Sequence, residues 1–215
     1  MILGFDVGNT HIVPIFYTEE GEIIVTFRIP TSLDMTEDTL FSMLKTLAEH
    51  HEINIYSVHS IIVSSVVPHL NEIFDYLAKD YFNTIPYFVT LDAVNDEIKL
   101  LPGTERGLGA DRIVDIIECK RKYPDKELII IDFGTATTFD VIKDSTYLGG
   151  CIIPGINLSI NSLFKNTAKL PKIKFEKPST ALGLDTVSQI NAGIYFSNLG
   201  AIRELITKKK KELPN

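Results

Sequence analysis

The sequence predicts an α/β fold built from two similar halves with a cleft between them. Three observations carry that prediction. An apolar strand ends in Asp-x-Gly followed by small polar residues twice, in "ILGFDVGNT" and again in "IIIDFGTATT". A second apolar run follows each turn, as in a β-hairpin. Beyond each hairpin, extended runs alternate with stretches of helical periodicity. Self-similarity on this scale marks a repeated unit, and strands alternating with helices imply mixed or parallel sheets with helices on their faces.

Taken in order, Ile2–Phe5 and Ile12–Tyr17 are strands around the first turn, and a hairpin through "TEEGE" leads to a strand over Ile23–Arg28. Pro14, inside a hairpin strand, predicts an edge position there. Leu40, Met43, Leu44 and Leu47 recur at helical spacing, with Thr36, Asp38 and Thr39 as candidate caps. "VHSIIVSSVVPHL" is a buried strand ending at Pro68, "LNEIFDYLAKDYF" an amphipathic helix and "PYFVT" a further strand. A helix over Ala110–Tyr123 joins the halves. The second half then repeats the plan: strands over 128–131 and 138–142, a turn through "KDSTY", and the strand "LGGCIIPG". Helices follow from about Asn157 to Ala168 and from about Thr186 to Lys211. The expected division is residues 1–112 and 113–215.

The chain has 215 residues, 45% of them hydrophobic, and a net charge of −7, enough for a real core and contrary to an overall nucleic-acid footprint. The only basic run, Lys208–Lys211, reads as a solvated helix end complementing the dipole. No Lys or Arg precedes the first apolar stretch, which Asp6 interrupts, so no signal peptide is expected. The longest apolar runs are strand-sized, too short to span a bilayer. Cys119 and Cys151 form neither a disulfide framework nor a metal-ligand spacing, and the histidines show no metal-site spacing either. A cytoplasmic protein that binds neither nucleic acid nor membrane is expected.

The chemistry concentrates at three places. In "DVGNTH" an aspartate ends a strand and Gly8 allows the backbone to approach a ligand. Asn9, Thr10 and the exposed amides are equipped to cradle phosphate oxygens, and Asp6 to hold Mg²⁺ directly or through water. "DFGTATT" offers Gly134, Thr135 and Thr137 in the same arrangement. Either turn alone is matched equally well by an ordinary polar hairpin turn; their pairing in a repeat favours a two-walled phosphate clamp. The third place is "GLGADR". It lacks the third glycine of a dinucleotide fingerprint, and no P-loop motif occurs in the chain. What remains is a carboxylate and a guanidinium in the first turn of a helix. Asp111 is equipped to accept a hydroxyl proton and Arg112 to bind an anion bidentately. On spacing alone, a helix-capping Asp paired with Arg stands slightly ahead.

The motifs "DVGNTH", "SSVVP", "GADRI", "DFGTATTFD", "LGGCIIPG" and "LFKNTAKLP", in this order and over nearly the whole chain, resemble type III pantothenate kinase. That resemblance implies duplicated actin-like (ribonuclease H-like) domains with a central cleft, and ATP-dependent phosphorylation of pantothenate to 4′-phosphopantothenate. It implies that Asp6, Val7, Gly8, Asn9, Thr10, His11, Ile12 and Val13 line the ATP phosphates and that Thr135 contacts ATP. It further implies that Gly109, Ala110, Asp111, Arg112 and Thr186 bind pantothenate, with Asp111 as proton acceptor. Asp132 would ligate a monovalent cation, K⁺ or NH₄⁺, beside Mg²⁺, and a homodimer would bring Thr186 to the other subunit's "GADR". The chain departs from the family pattern in two places. Members usually continue beyond the last helix into a strand, a Thr-Gly-Gly turn and closing helices, whereas this chain stops at "KKKKELPN", so a truncated second domain is expected. Before "GADR" it reads "LLPGTERGL" instead of a Tyr-x-Asn-Pro-like stretch. Two other readings stay open: a non-catalytic ligand sensor on the same scaffold, and another small-molecule kinase or polyphosphate-type phosphatase of the superfold.

Overall fold

The computed structural model describes residues 1–94, 96–167 and 169–212. The chain divides into two compact units, Met1–Glu118 and Cys119–Asn215.

Unit 1 is organised around a mixed sheet. Strands β1 (Ile2–Val7) and β2 (His11–Tyr17) form the first hairpin, followed by β3 (Ile23–Thr26), β4 (Ile29–Pro30), β5 (Ser60–Ser65) and β6 (Tyr87–Phe88). Their order is β3-β2-β1-β5-β6, with β4 pairing to β2. The β1–β2 pair is antiparallel, whereas β1–β5 and β5–β6 are parallel. Alternation decides the faces. Leu3, Phe5 and Val7 on β1, Ile12 and Phe16 on β2, and Ile61 and Val63 on β5 all belong to one apolar core. Helices α1 (Glu37–His50) and α2 (Asn71–Phe82) supply Leu40, Leu44, Phe74 and Leu77 to the same core, and the Phe5 and Phe74 rings lie 4.9 Å apart. The hydroxyl of Thr36 caps α1 by accepting from the Thr39 N–H at 3.2 Å. The buried stripe of α1 includes Phe41 and Ala48, while Met43 is exposed, so the apolar face is rotated from the one the leucine spacing predicts. On the opposite face of the sheet a Cβ at Gly4 would stand 3.0 Å from Tyr17 Cε2, so the ring lies directly over bare backbone.

Pro14 does not lie on an edge strand. β2 is flanked by β1 on one side and by β3 and then β4 on the other. The expected strand Ile23–Arg28 breaks at Phe27, whose N–H donates to the Pro14 carbonyl at 3.0 Å. Proline's missing donor therefore falls in the gap between β3 and β4, where no ladder rung requires it. The expected strand ending at Pro68 also stops early, because Ser65 Oγ accepts from the Val67 N–H at 3.2 Å and turns the chain.

A two-residue strand, β7 (Lys99–Leu100), precedes α3 (Ala110–Lys122), which runs across the boundary between the units. In unit 2, β8 (Leu128–Phe133), β9 (Ala136–Lys143) and β10 (Thr146–Pro154) form an antiparallel meander with β9 in the middle. Asp144 and Ser145, both at positive φ (49° and 59°), make the tight β9–β10 turn. Helices α4 (Ile156–Lys165) and α5 (Thr186–Glu212) complete the unit. The expected end of the first helix, Ala168, lies outside the described residues. Asp185 and Ser188 cap α5 reciprocally: the Ser188 N–H donates to Asp185 Oδ1 at 2.9 Å and the Asp185 N–H to Ser188 Oγ at 3.1 Å. These bonds to the charged form hold the Asp185 carboxyl below its usual range. The buried residues of this 27-residue helix are Asn191 and Ala192, and Asn191 accepts the Glu176 N–H at 3.0 Å. Among the described residues no helix is long and apolar enough to cross a membrane.

Candidate active site

In unit 1 three motifs meet at one end of the sheet. The first is the β1–β2 turn. Asp6 is exposed on the last rungs of β1, paired with Val13 on one side and Ser64 on the other. The Gly8 N–H closes the turn on the His11 carbonyl at 2.9 Å, leaving Asn9 and Thr10 exposed at its tip. Thr31 fixes the turn from behind: its hydroxyl donates to the Gly8 carbonyl at 2.7 Å, and its N–H to the Thr10 carbonyl at 3.0 Å. Of the remaining predicted nucleotide residues, Val7 and Ile12 are buried in the core, and His11 and Val13 are half-buried along β2.

The second motif is the exit of β5, where the Val66 N–H donates to the Val7 carbonyl at 3.0 Å and ties "SSVVP" to the turn. The third is the start of α3. The Gly109 carbonyl accepts the Ile113 N–H at 3.0 Å, so Gly109 opens the helix and Asp111 and Arg112 fall in its first turn. A Cβ on Gly109 would stand 3.3 Å from Val66 Cγ1, which brings this turn against the β5 exit. The same Cβ would stand 2.5 Å from Asp111 Oδ1. The carboxylate thus folds back over the glycine, where it accepts the Arg112 N–H at 2.7 Å. Ala110 is buried, and Asp111 and Arg112 are half-buried. Asp111 is thus a first-turn carboxylate of α3, stabilised by the helix N-terminus.

In unit 2 the corresponding turn joins β8 to β9. Asp132 pairs with Thr138 and Phe133 with Thr137. The Gly134 N–H closes the turn on the Ala136 carbonyl at 3.0 Å, and the Gly155 N–H donates to the Thr135 carbonyl at 3.1 Å. A Cβ on Gly155 would lie 2.4 Å and 2.5 Å from the Gly134 and Thr135 carbonyl oxygens, so the "IIPG" end of β10 presses directly on this turn. Asp132 and Thr135 are exposed, with Asp132 Oδ2 3.2 Å from a Cβ position on Gly134. Next along β9, buried Asp140 accepts the Tyr147 hydroxyl at 3.0 Å. Thr186 is exposed at the first turn of α5.

The sequence pattern of the family described as Type III pantothenate kinase matches residues 2–208. The chain belongs to the type III pantothenate kinase family. A type III pantothenate kinase of Fusobacterium nucleatum is 49% identical, over 99% of this chain and 83% of its own length. Another, from Thermosipho africanus, is 42% identical over 99% of this chain and 82% of its own. Among solved structures, one described as a Baf family transcriptional activator from Campylobacter jejuni superimposes with a TM-score of 0.54 at 19% identity, covering 94% of this chain and 78% of its own. A 2-dehydro-3-deoxygalactonokinase structure from Sinorhizobium meliloti gives 0.51 at 10% identity, covering 78% of this chain and 57% of its own. Both likenesses concern the fold alone.

The sequence assigned no role of their own to Thr31, Val66 and Gly155 at these turns, nor to Asp185, which caps α5. Thr31 and Val66 act from distant segments, and nothing local to them signals the contact. Gly155 is visible only as the last glycine of "LGGCIIPG". Asp185 did carry a signal, the Asp-x-x-Ser spacing of a cap.

Proposed function

We propose that this chain transfers the γ-phosphoryl group of ATP to the hydroxyl of pantothenate, giving 4′-phosphopantothenate, the first step of coenzyme A synthesis. The observation that carries this reading is the convergence of the Asp6–Thr10 turn, the β5 exit and the Gly109–Arg112 turn at one end of the unit 1 sheet. In this reading the segment Asp6–Val13 lines the ATP phosphates and Thr135 adds a contact from the second half. Asp111 takes the hydroxyl proton as that oxygen attacks the γ-phosphorus and ADP departs. Arg112, with Gly109 and Ala110, holds the pantothenate carboxylate, and Thr186 completes the pocket. Phosphoryl transfer asks mainly for positioning and charge neutralisation, which this set of groups is suited to give.

Mg²⁺, when bound, supplies charge neutralisation at the phosphates, and Asp6 is the carboxylate assigned to it. Among the described residues no three metal-ligating side chains cluster, so its other ligands in this reading are phosphate oxygens and water. Asp132 is assigned to K⁺ or NH₄⁺; its exposed carboxylate beside backbone carbonyls of the β8–β9 turn is an all-oxygen set that suits such a cation. The duplication and central cleft belong to the same proposal. They are supported by the two meanders, β1-β2-β3 and β8-β9-β10, each carrying its aspartate one rung before the end of its first strand. A cytoplasmic homodimer is proposed as well, supported by the exposed apolar side chains Leu184, Val187 and Phe196 at and along α5.

Coupled measurement of ADP release with pantothenate and Mg²⁺-ATP, in potassium and in sodium buffer, tests this reading. The wild-type chain is expected to turn over and to need potassium or ammonium. Asp111→Asn is expected to lose about 100-fold or more in kcat while keeping its fold. Turnover of a sugar but not pantothenate, or a near-normal Asp111→Asn enzyme, refutes it.

A further inference from the structure

Ser64 is 8% exposed, and its Oγ is one of the buried side-chain atoms that find no hydrogen-bond partner. Buried hydroxyls are nearly always paired, because leaving one unpaired is destabilising. The neighbouring serine shows the contrast: Ser65 Oγ accepts the Val67 N–H at 3.2 Å and so builds the turn after β5. Ser64 has no such structural occupation. Its position is specific, however. In the parallel β1–β5 pair Ser64 lies directly opposite Asp6, and Asp6 in turn lies opposite Val13. Paired residues on adjacent strands share a face and stand about 4.8 Å apart, a gap that a hydroxyl and a carboxylate can bridge by rotation about χ1. Ser64 lies on the face opposite the core residues Ile61 and Val63, the same face as Ile62 and Asp6.

We propose that Ser64 is a positioning residue for Asp6: its hydroxyl, unpaired in the ligand-free fold, donates to the Asp6 carboxylate when that carboxylate turns to serve the magnesium-nucleotide. The hydrogen bond selects one Asp6 rotamer, so the ion meets a carboxylate already oriented instead of one that must be ordered on binding. This rests on the assignment of Asp6 to magnesium-nucleotide made above. The unpaired hydroxyl is then a stability cost accepted in the empty protein and recovered in the loaded one. Two consequences separate this from a packing role. Removing the hydroxyl leaves the empty fold no less stable, and it weakens nucleotide binding only while Asp6 is a carboxylate.

The experiment is a titration of the full chain with a non-hydrolysable ATP analogue at several Mg²⁺ concentrations, followed by heat of binding. It is run on wild type, Ser64→Ala, Ser64→Cys, Asp6→Asn and the Ser64→Ala/Asp6→Asn pair, with thermal unfolding of each empty protein. Ser64→Ala is expected to weaken analogue binding about tenfold, the scale of a hydrogen bond to a charged group, with Tm unchanged or raised. Ser64→Cys, isosteric but a weak donor, is expected in between. On the Asp6→Asn background the Ser64→Ala effect should vanish, as two residues acting as one unit require. If wild type binds and Ser64→Ala binds equally well, the Ser64 assignment is overturned and the kinase reading stands. It is likewise overturned by a tenfold effect that persists without the Asp6 carboxylate. Failure of wild type to bind the analogue at any Mg²⁺ concentration overturns the Asp6 assignment and this one with it.

Discussion

Replacing Gly109 by Ala separates the two functions of Asp111. Gly109 is not among the residues at positive φ, so its backbone accepts an alanine. The added methyl meets Asp111 Oδ1 at 2.5 Å and Val66 Cγ1 at 3.3 Å. The valine contact is relieved by a shift of a few tenths of an ångström. The carboxylate oxygen must retreat by about 0.9 Å to reach the 3.4 Å of ordinary contact. That retreat breaks its 2.7 Å bond from the Arg112 N–H. Losing that bond, together with a poorer residue at the opening of α3, costs about 1–2 kcal/mol. The corresponding fall in Tm is roughly 2–8 °C for a chain of this size. The reacting geometry is more sensitive, since a misplacement near 1 Å is worth about 100-fold in rate. Gly109→Ala is therefore expected to remain folded while kcat for pantothenate falls by about two orders of magnitude, with the KM for ATP changed little. Steady-state kinetics beside a thermal melt measure both quantities. A folded Gly109→Ala enzyme with wild-type kcat would refute the claim that the Asp111 carboxylate over Gly109 is the working base.

Gly155→Ala is expected to act in the opposite way, on stability before rate, because its methyl would collide with backbone atoms of Gly134 and Thr135 that cannot swing aside. About 2 kcal/mol or more is expected, visible as a Tm drop of roughly 4–8 °C; an unchanged melt would show that the β8–β9 turn is not braced by β10. At high pH the contact between the Tyr81 hydroxyl and Asp38 becomes readable. Its hydrogen bond to the Asp38 carboxylate pushes the Tyr81 pKa up from 10.0 to about 12. The raised value favours the neutral phenol in the folded state, so the contribution is fully present below about pH 10 and lost as pH rises through about 12. Phenolate absorbance should show a late-titrating tyrosine that Tyr81→Phe removes, and no such loss would place the Asp38 contact elsewhere.

Much of the fold was legible because its signals are local. Runs such as "IIVSS" and "LIII" specify strands by branching alone, and Thr36 stands three residues before the amide it caps. The errors arise where a neighbour in space decides. Pro14 looked like an edge residue because sequence does not show strand order, and only the break at Phe27 makes a proline acceptable inside the sheet. Met43 and Phe41 exchange places in the α1 stripe because the helix meets aromatic rings of α2, with Phe41 stacked 3.8 Å from Tyr81. The candidate site divides similarly. "DVGNTH" and "GADR" are visible as chemistry, but their meeting depends on Val66, an apolar residue of "SSVVP" whose contact with Gly109 no local pattern shows.

The position of β1 in its sheet has a consequence for the history of the molecule. One of its edges is closed at once by β2, a neighbour across a short turn, while the other waits for β5, whose first paired residue is Ser60. Contacts between distant segments form late, after their loop-closure entropy has been met. Until then β1 presents a bare ladder edge, with α1 still to be laid down between the two strands. The terminal rungs of that late pairing, Val7 with Ser65 and then the Val66 N–H on the Val7 carbonyl, are those that bring the Gly109 turn beside the Gly8 turn. Site assembly and completion of the unit 1 sheet are thus one event. A ligand bound at the proposed site would hold the two strands together at the rung that joins last, so occupancy is expected to slow the unzipping of β5 and to shield the chain from proteases that act on opened states.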